Sequence, residues 1–366
     1  MMKVELASGT LSLDVDRADL PLDDLCGFAD RHNKRRSFLF VSKVLGKHHP
    51  VRPALMADVH ALLAGKIDPD LPGPVLFVAL AETAVGLGQS VYEAYRARTG
   101  RHDTVFVHST RYAMGNGERL AFSESHSHAP SHLVHVPVDP LAAARFREAR
   151  SLVLVDDEIS TGNTLINLVN VLRTSLLDRV VLTCITDWSA EDPAIGARIG
   201  LPVAFASALS GRFSFRARDG FEFPSVPPNV EAPRFDPKDV LRTNFGRLGL
   251  CELPALGDVP SLAPGQRVLV LGTGEFLYLP FKLAHALEAR GHSVEFQSST
   301  RSPIQLGGAI SAKIELVDNY FDGMPNFLYN VRPGSHDVVI VGYETTRLPE
   351  AHTLPTQLGA LKWMRG

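Results

Sequence analysis

The sequence predicts an α/β protein in which a doubly wound, mostly parallel sheet is followed by a smaller, Rossmann-like α/β domain. Short apolar runs alternate with segments of helical spacing, a proline-rich region interrupts them at 206–262, and the alternation then resumes. Strands separated by helices of this size are typical of parallel sheets. A chain of 366 residues is long enough for two domains. We therefore expect domains at 1–205 and 263–366, joined by an irregular linker at 206–262.

The expected elements follow from the local pattern of apolar residues. Alternation at 4–15 indicates an edge strand or hairpin. In the first domain we further expect a short helix at 20–31, strands at 37–44, 74–80, 104–109, 152–155 and 180–186, a candidate strand at 133–138, and helices at 88–98 and from 164. In the second domain we expect strands at 267–271, 293–297 and 337–341 and a helix at 276–290.

Composition limits the classes of function. The formal net charge is −3 and no long basic run occurs, so a large nucleic-acid interface is not expected. The three cysteines are far apart and odd in number, which favours a reducing compartment. No apolar run approaches membrane-spanning length and no signal-like segment is present near residue 1. We expect a cytoplasmic protein without a membrane or nucleic-acid partner.

Residues 152–164 are the most informative segment. A short apolar strand ends in two acids, Asp156 and Asp157, and a small, hydroxyl-rich loop leads into a helix. Such a junction binds anions through backbone N–H groups and the positive end of the helix, whereas the acids accept hydrogen bonds from sugar hydroxyls. The combination predicts a ribose 5-phosphate site, although an ordinary capped turn is the alternative. The loop residues are Ser160, Thr161, Gly162, Asn163 and Thr164.

This segment resembles the phosphoribosyl-pyrophosphate (PRPP) loop of type I phosphoribosyltransferases. The resemblance implies that Asp156 and Asp157 hold the ribose 2′- and 3′-hydroxyls and contact Mg²⁺, while residues 160–164 wrap the 5′-phosphate. With the motifs at 38–48, 124–128 and 300–303, nearly the whole chain resembles a bacterial subfamily. In that subfamily an orotate-phosphoribosyltransferase-like domain is fused to a C-terminal TRSP domain and is associated with tellurite-resistance and stress operons.

The turn after the 74–80 strand is the second candidate phosphate site. Ala81, Glu82, Thr83 and Ala84 are small or polar and precede a helix, so their backbone can approach an anion. In the transferases this position matches the pyrophosphate loop. Many relatives place Lys or Arg there and this chain does not, so other groups must neutralise the pyrophosphate. A plain strand–helix turn is the alternative.

The segment at 109–132 is long, polar and glycine-hinged, which is typical of an active-site lid. Arg111, His126 and His128 are candidate catalytic residues, because histidines bind phosphates or move protons near neutral pH. His132 belongs to the same cluster. An inert loop and a zinc site are the alternatives, the zinc site being the weaker. The resemblance implies a hood loop that closes over PRPP.

Two further groups of residues are candidate ligands. Lys43, at the end of the 37–44 strand, and Lys47, just beyond it, are expected to help hold the charges of PRPP. A solvated basic turn is the alternative. In the second domain, Gly272, Thr273 and Gly274 follow a strand, but Leu277 stands where a dinucleotide fingerprint needs glycine. The second-domain segment Thr300, Arg301 and Ser302 predicts a binding site for a phosphate or carboxylate, and Asp318 and Glu344 are candidates to complete that site. A turn in which Arg301 pairs with a structural acid is the alternative.

We therefore expect a Mg²⁺-dependent enzyme that transfers ribose 5-phosphate from PRPP to a nucleobase-like nitrogen acceptor and releases pyrophosphate. Purine-salvage relatives carry an acid at the position of Ser160, so a 6-oxopurine acceptor is disfavoured. The resemblance also implies a homodimer. Two alternatives are open: a protein that senses PRPP or nucleotides without turnover, and a two-step enzyme whose second domain processes the product of the first.

Overall fold

The first part of the chain folds around one central sheet. The computed structural model describes residues 1–33, 36–123, 131–221 and 241–366. From the N-terminus the elements are β1 (Met2–Leu6), β2 (Gly9–Ala18), α1 (Leu22–Leu25), β3 (Cys26–Asp30), β4 (Phe38–Ser42), α2 (Pro53–Gly65), β5 (Val75–Ala79), α3 (Val85–Thr99), β6 (Thr104–His108), β7 (Arg119–Ser123), β8 (Ser131–His135), α4 (Pro140–Arg147), β9 (Ser151–Val155), β10 (Glu158–Ile159), α5 (Asn163–Leu172), β11 (Arg179–Asp187), α6 (Pro193–Ile199) and β12 (Val203–Ala217).

The central sheet is mostly parallel and is covered on both faces. Its order is β1-β2-β12-β11-β9-β5-β6, with β10 beside β11. The β1–β2 and β2–β12 pairs are antiparallel, and the other pairs are parallel. Side chains of β9 alternate between two cores: Val153 and Val155 pack with α2 and α3, whereas Leu152 and Leu154 pack with α4, α5 and α6. The strands buried on both faces are mainly apolar, as is usual for parallel strands. The predicted doubly wound fold is confirmed.

The second domain is a smaller α/β unit. Its elements are β13 (Arg267–Gly272), α7 (Tyr278–Ala289), β14 (Ser293–Ser298), β15 (Lys313–Val317), β16 (Pro325–Tyr329), β17 (Val338–Tyr343), α8 (Leu354–Leu358) and β18 (Leu361–Met364). Strands β14, β13, β17 and β18 form a parallel sheet in that order, and α7 packs on it through Phe281, Leu283 and Leu287. The expected strands and helix are confirmed, whereas the sequence pattern did not indicate β15, β16, α8 and β18.

The helix predicted at 20–31 is wrong for most of its length. Only α1 is helical, and the following residues form β3, which pairs antiparallel with β4 outside the central sheet. Phe28 lies opposite Phe40, with ring centroids 5.8 Å apart, and Phe40 stacks on Trp188 at 4.6 Å. Such cross-strand aromatic contacts favour extended backbone, and the sequence pattern does not show them because their partners lie far along the chain.

The irregular linker predicted from residue 206 begins later in the structure. Strand β12 continues to Ala217, pairing with β11 over its first half and with β2 over its second. It is thus an interior strand of the central sheet. The signal that suggested irregular structure is carried by prolines that begin only at Pro224.

The lid predicted at 109–132 is partly regular structure. Strands β7 and β8 form an antiparallel hairpin in which Arg119 lies opposite His135. The strand predicted at 133–138 therefore begins earlier, at Ser131. His126 and His128 lie outside the described residues. Within the described ranges, no helix combines the length and apolar character needed to cross a membrane.

The close contact between β5 and α3 predicts a stability effect. A Cβ added at Gly88 would lie 2.4 Å from Cβ of Ala79, whereas one added at Gly65, the last residue of α2, would meet no atom within 4 Å. We expect Gly88→Ala to lower the free energy of unfolding by about 1–3 kcal/mol. Gly65→Ala should leave it unchanged or raise it by up to about 1 kcal/mol. Urea denaturation measures both, and equal values for the two variants would contradict the packing described.

Candidate active site

The acid pair lies where predicted, at the carboxyl end of the central strand β9. Asp156 and Asp157 are both partly buried, and the Asp157 amide donates to Oδ1 of Asp156 at 2.9 Å. Burial, together with the neighbouring Glu158 carboxylate, raises the pKa of Asp157 above its ordinary value. Glu158 itself pairs with Arg36 at 2.6 Å. The pair is thus positioned by the end of β9.

The loop after the acid pair presents unused backbone donors. The amides of Ser160, Thr161 and Gly162 donate no hydrogen bond to any described residue. Gly162 has φ +68° and a Cβ there would lie 2.8 Å from Ile195, so glycine is required. The ten-residue helix α5 follows at once, and the amides of its first turn lack intrahelical acceptors. This arrangement suits a phosphate group. Asn163 and Thr164 are the first residues of α5, and Asn163 Oδ1 accepts a hydrogen bond from Arg198.

The loop after β5 lies directly beside the acid pair. Strands β5 and β9 are neighbours, and the Leu80 amide donates to the Val155 carbonyl at 3.0 Å. The Ala81–Glu82 peptide bond is cis, and the Ala81 amide donates to Ser109 Oγ at 2.9 Å. The amides of Glu82 and Thr83 donate to no described residue. Ala84 precedes the 15-residue helix α3, so this loop also resembles an anion site.

Of the two lysines singled out from the sequence, one reaches this loop. Lys47 is 1% exposed, and its Nζ lies 2.5 Å from Oε1 of Glu82. Lys43 Nζ instead donates to the Asp23 carbonyl at 2.6 Å. The structure therefore brings Lys47 to the loop at residues 81–84 and gives Lys43 a different partner.

The segment after β6 joins the two domains. Thr110 Oγ1 donates to Oε2 of Glu275 at 2.7 Å, and the Arg111 amide donates to Oε1 at 3.1 Å. Glu275 belongs to the second domain, directly after the turn at Gly272, Thr273 and Gly274. His132 is buried, with Nδ1 3.3 Å from Ser109 Oγ. The first residues of the predicted lid, Thr110 and Arg111, thus donate hydrogen bonds to a second-domain carboxylate.

The second-domain candidates share one sheet edge. Thr273 follows β13, and its hydroxyl donates to the Gly342 carbonyl at 2.9 Å. Thr300, Arg301 and Ser302 follow β14, and the Ser302 amide donates to Thr300 Oγ1 at 3.2 Å. Gly274 has φ +54°, and a Cβ there would lie 2.2 Å from the Tyr320 ring. The structure therefore brings the two predicted segments together, with the Thr273 and Thr300 hydroxyls engaged inside the protein.

The carboxyl edges of the two sheets face each other. Leu277, after β13, packs on Ala81 and Val85 of the first domain. The Tyr112 ring stacks on Tyr320 with centroids 4.9 Å apart. Arg301 Nε lies 3.7 Å from Oε2 of Glu82. The loop at residues 81–84 of the first domain is therefore lined by the second domain.

A buried arginine that the sequence analysis missed ties these edges together. Arg247 is 2% exposed. Its Nε donates to Glu275 at 2.7 Å, and its two terminal nitrogens donate to Glu344 at 2.5 and 2.7 Å. Tyr320 also donates to Glu344 at 2.7 Å. Arg247 falls in the region interpreted as a linker, where no local pattern distinguishes it from a solvated arginine.

The guanidinium of Arg247 controls the charge of its neighbours. Although burial alone would raise the pKa of Glu275, Arg247 and the hydrogen bond from Thr110 lower it from 4.5 to about 2. Burial and the same guanidinium lower the pKa of His108 to about 4, so this histidine is neutral at pH 7. Glu275 therefore stays ionised inside the interface.

Two models of known protein families match the sequence of the chain. A family model described as phosphoribosyl transferase matches residues 25–212, which are 188 of the 366 residues. The chain therefore belongs to the phosphoribosyl transferase family, whose members are enzymes. A second model, described as the TRSP domain C-terminal to that transferase, matches residues 253–358. The family expected from the sequence is confirmed.

The solved structures that resemble the chain are distant. Adenine phosphoribosyltransferase from Rhodothermus marinus has 15% identity and a TM-score of 0.33, covering 51% of this chain and 95% of its own. The adenine phosphoribosyltransferase from Trypanosoma brucei, in complex with AMP, pyrophosphate and ribose-5-phosphate, has 11% identity and a TM-score of 0.36. The match covers 54% of this chain and 86% of that enzyme. Orotate phosphoribosyltransferase from Aeropyrum pernix has 16% identity and a TM-score of 0.28. The match covers 47% of this chain and 79% of that enzyme. No curated protein matches the chain.

Removal of the Arg247 side chain should be costly. Arg247→Met leaves two buried carboxylates without their cation, so we expect the free energy of unfolding to fall by about 3–5 kcal/mol. Arg267→Met is the matched control and should change stability far less, because Arg267 pairs with Asp337 at 3.0 Å on the exposed surface, where solvent screens the pair. Chemical denaturation compares them, and a loss below 1 kcal/mol for Arg247→Met would contradict the account.

The depressed pKa of Glu275 predicts acid sensitivity. Its ionised form is stabilised by folding, so its contribution is present above pH 4.5 and is lost as the pH falls through the folded value of about 2. We expect the stability of the wild type to fall more steeply between pH 4.5 and 2 than that of Glu275→Gln. Unfolding midpoints measured across this pH range test it. Parallel profiles for the two proteins would show that Glu275 is not held ionised.

Proposed function

We propose that the protein transfers ribose 5-phosphate from PRPP to a nucleobase-like nitrogen acceptor, with Mg²⁺ and with release of pyrophosphate. The observation that carries this proposal is the arrangement at β9 and β5. An acid pair, a donor-rich loop and a second donor-rich loop follow two adjacent parallel strands. Ligands of open α/β sheets bind at such carboxyl edges.

Each part of PRPP has matching groups in this arrangement. Asp156 and Asp157 accept hydrogen bonds from the two ribose hydroxyls. The amides of residues 160–162 and the start of α5, with the side chains of Ser160, Thr161 and Thr164, hold the 5′-phosphate. The loop of residues 81–84 holds the diphosphate, with Lys47 beside it. The proposed contribution of Lys43 is limited to the positive charge that it adds to the segment after β4.

The acid pair also fits Mg²⁺. This ion is usually bound through one or two carboxylates together with substrate phosphates and several waters. Asp156 and Asp157 supply two carboxylates, and no group of three His, Cys, Asp or Glu suited to a metal occurs in the described part of the chain. When bound, the ion would neutralise the leaving diphosphate. Asp156 and Asp157 are its proposed protein ligands.

Transfer breaks the bond from ribose C1 to the diphosphate oxygen and forms a bond from C1 to the acceptor nitrogen. The diphosphate leaves with the electron pair, and the acceptor nitrogen gives up its proton. The acid pair holds the ribose while positive charge develops at C1. We assign Arg111, His126 and His128 to the hood, where all three exclude water. The proton passes to His126 or His128, since an arginine is already protonated.

The acceptor is proposed to differ from the 6-oxopurines. Ser160 supplies a hydroxyl where purine-salvage enzymes carry an acid, so the site lacks the carboxylate that would meet a protonated ring nitrogen. The proposal extends to a cytoplasmic location, which the cysteine content favours. It also extends to a homodimer that acts in tellurite resistance or stress response, as the resemblance implies.

The proposal is tested by PRPP binding and pyrophosphate release with Mg²⁺ over a panel of bases. Asp156→Asn and Asp157→Asn should each lower PRPP affinity by about tenfold or more, because each removes a charge-assisted hydrogen bond. Asp178→Asn is the control, since Asp178 is an exposed acid paired with Arg150. It should behave as the wild type.

Three results would contradict parts of this account. A wild-type protein that does not bind PRPP would exclude the proposal altogether. Binding that is sensitive to the acid pair, without turnover on any base, would favour the sensor alternative. Efficient use of hypoxanthine would exclude the proposed limit on the acceptor.

A further inference from the structure

The loop at residues 81–84 contains an acid where a diphosphate would bind. Glu82 is the only charged residue in that loop, and two cations from elsewhere in the fold surround its carboxylate. Lys47 comes from the segment after β4, and Arg301 comes from the second domain. The carboxylate of Glu82 thus joins cations that belong to both domains.

Lys47 has hydrogen-bonding capacity that the protein leaves unused. An ammonium group has three donors. Among the described residues Nζ donates only to Glu82, although the side chain is 1% exposed. A buried ammonium with one partner is costly unless further acceptors reach it. An oxygen-rich anion would supply them.

Arg301 uses one of its three guanidinium nitrogens for hydrogen bonds to the described residues. The hydrogen bonds that it donates to described residues all leave from Nη2, to Tyr112 Oη and to Asp322 Oδ2, the latter at 2.9 Å. Its Nε lies 3.7 Å from Glu82, which is an ion pair without a hydrogen bond. The guanidinium plane is held in place by Asp322 and by the Tyr112 ring, 5.6 Å from its central carbon.

From this geometry we propose that Lys47 and Arg301 hold the diphosphate of PRPP, and that the Glu82 carboxylate occupies the place of that anion in the free protein. The inference rests on the proposed function. It makes the second domain part of the PRPP site, through a side chain that binds substrate. Diphosphate binding displaces Glu82 from both cations, and Nε and Nη1 of Arg301 with the free donors of Lys47 then face the diphosphate oxygens.

The charges around the loop explain why Glu82 opposes binding. Lys47 and Arg301 carry two positive charges, whereas Glu82, Asp322 and Asp318, which lies 3.6 Å from Arg301, carry three negative ones. A diphosphate that approaches while Glu82 remains would meet a net negative group. Removal of the Glu82 charge should therefore strengthen PRPP binding, whereas removal of either cation should weaken it.

Calorimetric binding of PRPP and of ribose 5-phosphate to the full chain, with Mg²⁺, tests the proposal. Arg301→Gln and Lys47→Met should each weaken PRPP binding by about tenfold or more and leave ribose 5-phosphate binding within about twofold of the wild type. Glu82→Gln should tighten PRPP binding. Arg267→Gln is the control, a second-domain arginine in an exposed pair, and should bind both ligands as the wild type does.

The outcomes separate this inference from the proposed function. If the wild type binds neither ligand, the proposed function fails, and this inference with it. If the wild type binds both and Arg301→Gln binds PRPP equally well, only the inference is overturned. Equal weakening of both ligands by Arg301→Gln would mean general damage and would also overturn it. Weaker PRPP binding by Glu82→Gln would overturn the placement of Glu82, and this variant retains both cations if Arg301→Gln fails to fold.

Discussion

The arrangement of the site depends on the buried ion pairs of Arg247. This one guanidinium binds Glu275 and Glu344, which follow two strands of the second sheet, and Glu275 in turn binds Thr110 and the Arg111 amide of the first domain. Buried charges are costly to desolvate and are tolerated only with close partners. Their geometry therefore allows little freedom in how the two carboxyl edges meet.

This constraint has a consequence for function. The second domain contributes Arg301 and Leu277 to the surroundings of the loop at residues 81–84. The TRSP domain thus lies beside the proposed PRPP site. Because Glu82 adds a negative charge to this loop, cations must come from elsewhere, and the fold brings them from the segments after β4 and after β14. The two domains together complete one charge arrangement.

Local sequence patterns predicted the parts of the fold whose stabilising contacts are regular. The buried strands and amphipathic helices, and the acid pair with its glycine loop, follow from apolar spacing and from the need for φ > 0 at Gly162. Strand β3 was missed because its stability comes from Phe40 and Trp188, which are distant in sequence. The pairing of Lys47 and Arg301 around Glu82 was not predictable either, since it depends on how two domains pack. Arg247 carried no local signal at all.

The most direct measurement is an experimental structure of the full chain with PRPP and Mg²⁺ bound. The account predicts ribose hydroxyls on Asp156 and Asp157, the 5′-phosphate on the amides of residues 160–162, and diphosphate oxygens within hydrogen-bonding distance of both Lys47 and Arg301. A diphosphate that contacts first-domain residues alone, with Arg301 still facing Glu82, would contradict the claim that the two domains build one site.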